Sequence, residues 1–269
     1  MIRRPIPAWL FWTLLFGGLL LIGLGYSRLS VLQTLKNPTQ TIVPGWQGFV
    51  DGAHRILQPT GVPSNPKPSM LAIDMMATYW RLFLGLTTGV FMSVIVGIAM
   101  GAYRWIEAPL SPIISFLSKI PPTAMMPIYF ILVGTDQKMF TAMVALGVFF
   151  TMAQSIFQAV QKDVSDDAID KAYTLGASDV EILWEVIWKQ ILPRILENIR
   201  LQIGPAMIFL LAAEMIVGDQ GMGYRIRMES RILNISVVYI YLAILGASGL
   251  LLEWGLLMLR RKLCPWFGA

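Results

Sequence analysis

Glu214 is the residue whose surroundings most constrain its chemistry. Thirteen uncharged residues, Leu201 to Ala213, precede it, and Met215-Ile216-Val217 follow. A carboxylate that deep in an apolar helix is costly unless it meets water, a cation or an interior path. Two roles fit: a residue of a translocation pathway or gate, or the partner of a cation such as Arg225. Arg200, near the other end of the same apolar stretch, reads as a side chain that snorkels to the interface. Lys119 has a second unusual setting, Lys119-Ile120-Pro121-Pro122-Thr123-Ala124-Met125-Met126-Pro127, which follows Pro109 and Pro112. Proline removes a backbone donor and bends a helix. In a bilayer the freed carbonyls must face protein or water rather than lipid. This segment is either a proline-broken interior helix that lines a path, with Pro121, Pro122 and Met125 along it, or a merely kinked packing helix with Lys119 near the interface.

Other chemistries find little support. The sixteen methionines would suit copper(I), but most, such as Met92, Met100, Met143 and Met152, stand singly in apolar stretches and read as packing. The one histidine, His54, lies between Asp51 and Arg55 on a short amphipathic stretch and reads as solvated, so no metal site is expected. A membrane-embedded enzyme would need clustered His, Asp or Cys inside apolar segments, and the pattern offers none. The single Cys264 cannot form an internal disulfide. No G-x-x-x-x-G-K-[ST] phosphate loop occurs, and no glycine is followed directly by lysine. Any ATP hydrolysis must therefore come from another chain, and no cofactor is expected.

The elements that must carry these residues are apolar helices. Of 269 residues, 56% are hydrophobic and 14% charged, with a mean hydropathy of +0.63. Soluble domains carry about 25% charge. Residues 6–26, 82–103, 139–160, 201–213 and 235–252 hold no charged side chain. A helix needs about 20 apolar residues to cross a bilayer. The pattern predicts an all-α polytopic membrane protein with six transmembrane helices near 6–26, 80–103, 110–133, 139–160, 195–217 and 235–259. Net charge is +5, but the cations form no long run, so nucleic acid is not an expected partner. Arg3–Arg4 and Arg260-Arg261-Lys262 flank the first and last spans, which places both termini in the cytoplasm. The first stretch ends Gly25-Tyr26-Ser27-Arg28 without a small-x-small cleavage site, and reads as a retained span. Residues 1–79 read as the first span plus an outer segment, 80–262 as the core and 263–269 as a cytoplasmic tail. Within the outer segment Trp46, Phe49, Val50, Ala53 and Leu57 recur at helical spacing, as in an interfacial amphipathic helix.

Residues 161–197 hold eight of the sixteen acids. A helix starting near Ser165 should end at Gly176, the residue best able to take a left-handed cap. Ser178 should then cap a second helix, with Glu181 completing a capping box. Val180, Leu183, Ile187 and Ile191 form that helix's expected apolar stripe, widened by Trp184 and Trp188. A loop over 161–193 is longer than a bundle needs for connection, and it reads as a docking surface.

This loop, Asp170-Lys171-Ala172-Tyr173-Thr174-Leu175-Gly176-Ala177-Ser178 followed by Ile191-Leu192-Pro193, resembles the Glu-Ala-Ala loop of bacterial ABC-importer permeases. Asp170 takes the glutamate's place, Lys171 and Ala172 those of the alanines, and Gly176 that of the glycine. Lys171 and Lys189 depart from the family pattern. Arg81-Leu82-Phe83-Leu84-Gly85, Gly97 to Gly101, Pro109 to Pro112, Ile120-Pro121-Pro122, Pro127, Gly134-Thr135, Ala213-Glu214-Met215 and Gly221 to Tyr224 follow the order of the nitrate/sulfonate/taurine branch.

The resemblance implies a type I ABC importer transmembrane domain in the cell inner membrane. Asp170, Ala172, Gly176 and Ala177 would belong to a cytoplasmic coupling helix that docks on ABC ATPase subunits. A second permease copy, identical or paralogous, would complete the pathway within the lipid bilayer. A periplasmic or lipid-anchored solute-binding protein would deliver a small polar solute. The region from Tyr239 to Trp266 also resembles permeases found beside urea- or guanidine-degrading enzymes, which offers a nitrogenous solute as the alternative. A secondary transporter working without ATP would be expected to show internal repeats, and the chain shows none.

Overall fold

Long runs without charge leave the backbone only its own hydrogen-bond partners in an apolar medium, and here they fold as helices. The computed structural model describes residues 8–36, 43–62, 65–134 and 136–266. Arg3–Arg4, Thr135 and the last three residues lie outside them. The helices are α1 (Ala8–Lys36), α2 (Trp46–Leu57), α3 (Met70–Ala102), α4 (Arg104–Leu117), α5 (Met126–Val133), α6 (Gln137–Asp163), α7 (Asp166–Thr174), α8 (Asp179–Glu181), α9 (Lys189–Val217), α10 (Met222–Arg231) and α11 (Ile235–Leu263). A π-helical stretch, Ile182–Trp188, joins α8 to α9 without a break. A small antiparallel hairpin of β1 (Pro59–Val62) and β2 (Asn65–Ser69) precedes α3 and, among the described residues, is the one addition to the expected all-α pattern.

Among the described residues, five helical stretches are long and apolar enough to cross a membrane: Trp12–Gln33, Met70–Ala102, Gln137–Asp163, Asp179–Val217 and Ile235–Leu263. The segment expected as one span over 110–133, proline-broken or kinked, is two helices, α4 and α5. Residues 118–125 between them run in tight turns, with Lys119 N donating to Phe116 O (3.1 Å) and Ala124 N to Pro121 O (3.0 Å). Two adjacent prolines explain the break. Neither donates a backbone bond, and each disfavours helical geometry in the residue before it.

The chain divides into two compact units, Met1–Met70 with Ile226–Leu242, and Leu71–Arg225 with Ala243–Ala269. In the first, Tyr26 Oη donates to Pro44 O (2.8 Å) and Ser30 Oγ to Val43 O (3.1 Å). The amphipathic helix α2 forms as expected. It packs through Gly52 and Ile56, whereas Trp46, Val50 and Leu57 of the expected stripe are exposed. An outward apolar stripe suits a helix lying at a membrane interface.

The second unit is built on α6. Met139, Met143, Val144, Val148, Met152 and Ile156 on this helix are fully buried. Against it α9 places Ile191, Ala206, Leu210 and Ala213. The third wall is α3, whose ridge Gly85, Gly89, Ser93, Gly97 repeats every four residues and is buried throughout. Small side chains at that spacing let two apolar helices approach closely in lipid. Ser93 Oγ also donates across the interface to Phe149 O (3.1 Å).

The closeness of this contact generates a prediction. A Cβ built on Gly89 would stand 2.7 Å from Ala145 O, and one on Gly97 would stand 2.8 Å from Ile156 Cβ. Backbone cannot step aside as a flexible side chain can, so Gly89→Val should destabilise the folded subunit by about 1–3 kcal/mol. Gly204→Ala, where nothing lies within 4 Å, should change little. Thermal unfolding of the two purified variants checks the difference.

Candidate functional site

The ridge of α3 continues past its glycines into Asp74, Thr78 and Arg81, at i, i+4 and i+7, which puts all three on one helical face. All three are buried, with Asp74 and Arg81 at 0% and 2% exposure. Glu214, at 0%, stands one turn before the end of α9, where Gly218 N closes the helix on Glu214 O (3.0 Å). The chain then reverses through Gly221, at φ +117°, into α10. A Cβ on Gly221 would stand 2.5 Å from Glu214 Oε1, so this turn needs glycine both for its backbone and for the space.

Hydrogen bonds between α3, α9 and the turn tie most of these polar groups together. Thr78 Oγ1 donates to the Glu214 carboxylate, 3.0 and 2.9 Å from its two oxygens, and accepts from Met222 N at 2.8 Å. Gly223 N donates to Glu214 Oε2 (2.9 Å), and Gly221 N donates to Asp74 Oδ1 (3.1 Å). The first N–H groups of α10, which no helix can satisfy internally, are thus capped by side chains from α3 and α9. Arg81 Nη1 donates to both Glu214 Oε1 and Gln220 O at 2.8 Å. Its Nε donates to Gln137 Oε1 (2.6 Å), and the guanidinium lies 4.1 Å from the centre of the Phe140 ring. Arg225 Nε donates to Asp74 Oδ2 at 2.8 Å.

Of the two roles open to Glu214, this geometry fits the partner of a cation, but the cation is Arg81. Arg225 pairs with Asp74 instead. Asp74 and Thr78 were not singled out from sequence, and Arg81 counted only as part of a motif. Their signal was available: three polar residues on one face of an otherwise apolar helix. Arg200, expected to snorkel, sits in an ionic chain, 3.4 Å from Glu197 and 3.3 Å from Glu253, and Arg260 also pairs with Glu197.

The broken segment separates its candidates. Pro122 and Met125 line a small cavity of about 30 Å³ with Tyr129, Gly147 and Phe209, whereas Pro121 and Lys119 are exposed. Glu214 is not part of that cavity's lining.

The acidic loop forms as a helix, a turn and a second helix. Gly176 takes φ +86°, and Ala177 N reaches back to Ala172 O (3.0 Å) to close the first helix. Ser178 and Glu181 form the expected capping box, with Ser178 N donating to Glu181 Oε2 at 2.8 Å. Tyr173 Oη donates to Asp179 Oδ1 (2.8 Å), and this bond pushes the phenol above its ordinary pKa. Asp170 and Gly176 are exposed, and Ala172 and Ala177 are half-buried. The expected stripe holds in part: Leu183, Ile187, Ile191 and Trp188 pack against the core. Ile187 and Ile191 are buried, but Val180 is 73% exposed and Trp184 60%. Trp184 sits in the π-helical stretch, whose i→i+5 bonding departs from the 3.6-residue spacing, and Val180 lies in the short α8 before it. Leu175 is 88% exposed as well, so the loop carries Leu175, Val180 and Trp184 in the open.

The sequence model of the family described as "Binding-protein-dependent transport system inner membrane component" matches residues 89–263. The taurine transport system permease protein TauC of Escherichia coli is 34% identical over 250 residues, covering 92% of this chain and 90% of that one. A putative aliphatic sulfonates transport permease protein, SsuC of Bacillus subtilis, is 28% identical over 70% of this chain and 67% of its own length. Among solved structures, an inward-facing MetNI methionine ABC transporter chain superposes with a TM-score of 0.62 at 18% identity, over 72% of this chain and 95% of that one. That likeness shows a shared fold.

The buried pair generates the second prediction. Glu214→Gln keeps the shape but takes from Arg81 its buried counter-charge, leaving only the exposed Asp219 carboxylate 3.6 Å away, a change that typically costs about 3–5 kcal/mol. Glu253→Gln, at a partly exposed pair, should cost about 1 kcal/mol or less. Thermal unfolding and uptake per folded molecule, read on the same preparation, check it. Lost transport at unchanged stability would restore the pathway role for Glu214.

Proposed function

This chain belongs to the binding-protein-dependent transport system inner membrane components, and from that premise we propose that its solute is a small oxyanion of the sulfonate kind. As a permease subunit of an ATP-binding-cassette importer of the nitrate/sulfonate/taurine type, it is an integral inner-membrane transport component and not an enzyme. Family membership brings ATPase subunits and a solute-binding protein as partners. The sulfonate reading is supported by a relative named for taurine that aligns with 92% of the chain. A nitrogenous solute such as urea or guanidine remains the second reading, on the likeness of the region from Tyr239 to Trp266.

The observation that carries the coupling assignment is the loop from Asp166 to Trp184. It is shaped by Gly176 and the Ser178 capping box, yet leaves Leu175, Val180 and Trp184 in the open. Capped ends hold a helix in one orientation, and exposed apolar side chains gain by covering. In our reading an ATPase subunit covers them from the cytoplasm, with both termini on the same side. Asp170, Ala172, Gly176 and Ala177 shape that contact, and a second permease copy, identical or paralogous, completes the pathway. Pro121, Pro122 and Met125 are proposed to border it, since the proline break leaves backbone carbonyls that a helix would have used.

The complex reconstituted with its ATPase and binding protein tests both parts. Taurine should stimulate ATP hydrolysis and urea should not. Gly176→Pro and Asp170→Arg should leave the subunit inserted and abolish the stimulation. Normal stimulation in both variants would overturn the coupling assignment, and stimulation by urea alone would overturn the solute.

A further inference from the structure

A cavity of about 600 Å³ is lined by Asp136, Gln137, Lys138, Phe140, Val217 and Asp219. Three of these residues are also partners of the buried Arg81. Gln137 accepts from its Nε, Phe140 lies under its guanidinium, and Asp219 Oδ1 is 3.6 Å from its Nη2. Arg81 therefore stands directly behind this wall, although only 2% of it is exposed. Its Nη2 makes no hydrogen bond to any described residue. The Asp219 oxygen is too distant to accept one, and that carboxylate is 79% exposed, so little holds it in place. A buried charged donor without an acceptor is an expensive arrangement, and it is one that an incoming oxygen ligand would relieve. Lys138 brings a second cation to the same wall. Asp136 and Asp219 set the limit on charge, because they would repel a second negative charge on the ligand.

We propose that this cavity is a binding subsite for a small monoanionic oxyanion, whose oxygen displaces the Asp219 carboxylate from Arg81 Nη2 while Lys138 pairs with the same group. The assignment deepens the reading of the solute as an oxyanion and rests on it. Asp219 acts as a resident competitor: it occupies the position weakly and leaves when the ligand arrives. Arg81 keeps its bonds to Glu214 and Gln137 throughout, so the donor is already oriented before the ligand binds.

The full chain in lipid nanodiscs, without its partners, is titrated with sodium methanesulfonate at constant ionic strength. Sodium sulfate serves as the dianionic comparison. Saturable binding of methanesulfonate, weaker for sulfate, is expected. Asp219→Asn removes the competitor and should tighten binding about two- to fivefold, in line with exposed ion pairs. Lys138→Gln should weaken it by a similar factor. The Asp219 carboxylate is 79% exposed with only a long contact to Arg81, and Lys138 is exposed, so the fold should persist, and unfolding temperature is recorded as the control. Absence of saturable binding, or an affinity that neither variant changes, overturns the subsite. If the assembled complex responds only to an uncharged solute while methanesulfonate still binds and answers to Asp219, the solute reading falls and the subsite stands. If sulfonates drive the complex but the chain alone binds none, the subsite alone falls.

Discussion

A carboxylate with no access to water must be met by a cation and by enough donors to occupy its oxygens. In this protein the Glu214 carboxylate is met by Arg81, Thr78 and the Gly223 amide. Much else depends on that requirement. Arg81 can reach Glu214 only because α3 lies close against the core, and α3 lies close because its ridge is glycine and serine. The chain can turn back after α9 only because Gly221 leaves room for the carboxylate. The amides that the turn exposes are taken up by Asp74, Thr78 and Glu214 together. A buried pair of this kind need not add net stability against an apolar replacement, but it is strongly selective for one arrangement. Here it selects the position of the 218–225 turn on the ends of α3 and α9.

The same unit carries a contrasting region. The loop from Asp166 to Trp184 is ordered by local devices, a left-handed glycine and a capping box, rather than by burial. Its exposed apolar side chains have no use in the isolated chain, which is consistent with a permease that works only when assembled. The proline break at Pro121-Pro122 is a third strategy. It ends one helix and starts another inside a segment that would otherwise span the membrane. Rigid packing, a partner-ready loop and a broken span together are what a transport subunit driven by other chains requires.

What could be read from sequence follows from the range of each signal. Long charge-free runs, the Gly176 cap and the Ser178–Glu181 box are local, and each appeared where the residues predicted it. The break in the third span was half-visible: the prolines allow either a broken helix or a kinked one, and two consecutive rings stop the helix. Of the apolar stripe, Leu183, Ile187 and Ile191 pack as expected, while Trp184 is exposed in the π-helical stretch Ile182–Trp188, where no residue announces the extra member per turn. The Glu214 site was least accessible. Its partners lie 133 and 136 residues away in sequence, and Arg225, nearer in the chain, looked the better cation. Only the fold brings Arg81 to Glu214 and leaves Arg225 to Asp74.

The central claim is that side chains of α3 and α9 hold the turn after α9 as firmly as core helix. Amide hydrogen exchange across residues 218–225 of the intact subunit in lipid tests it directly. The Gly221, Met222 and Gly223 amides should exchange as slowly as those of the buried stretch of α6, and Thr78→Val should release all three together. Rapid exchange at these amides in the unmodified protein, at the rate of an open loop, would contradict the account.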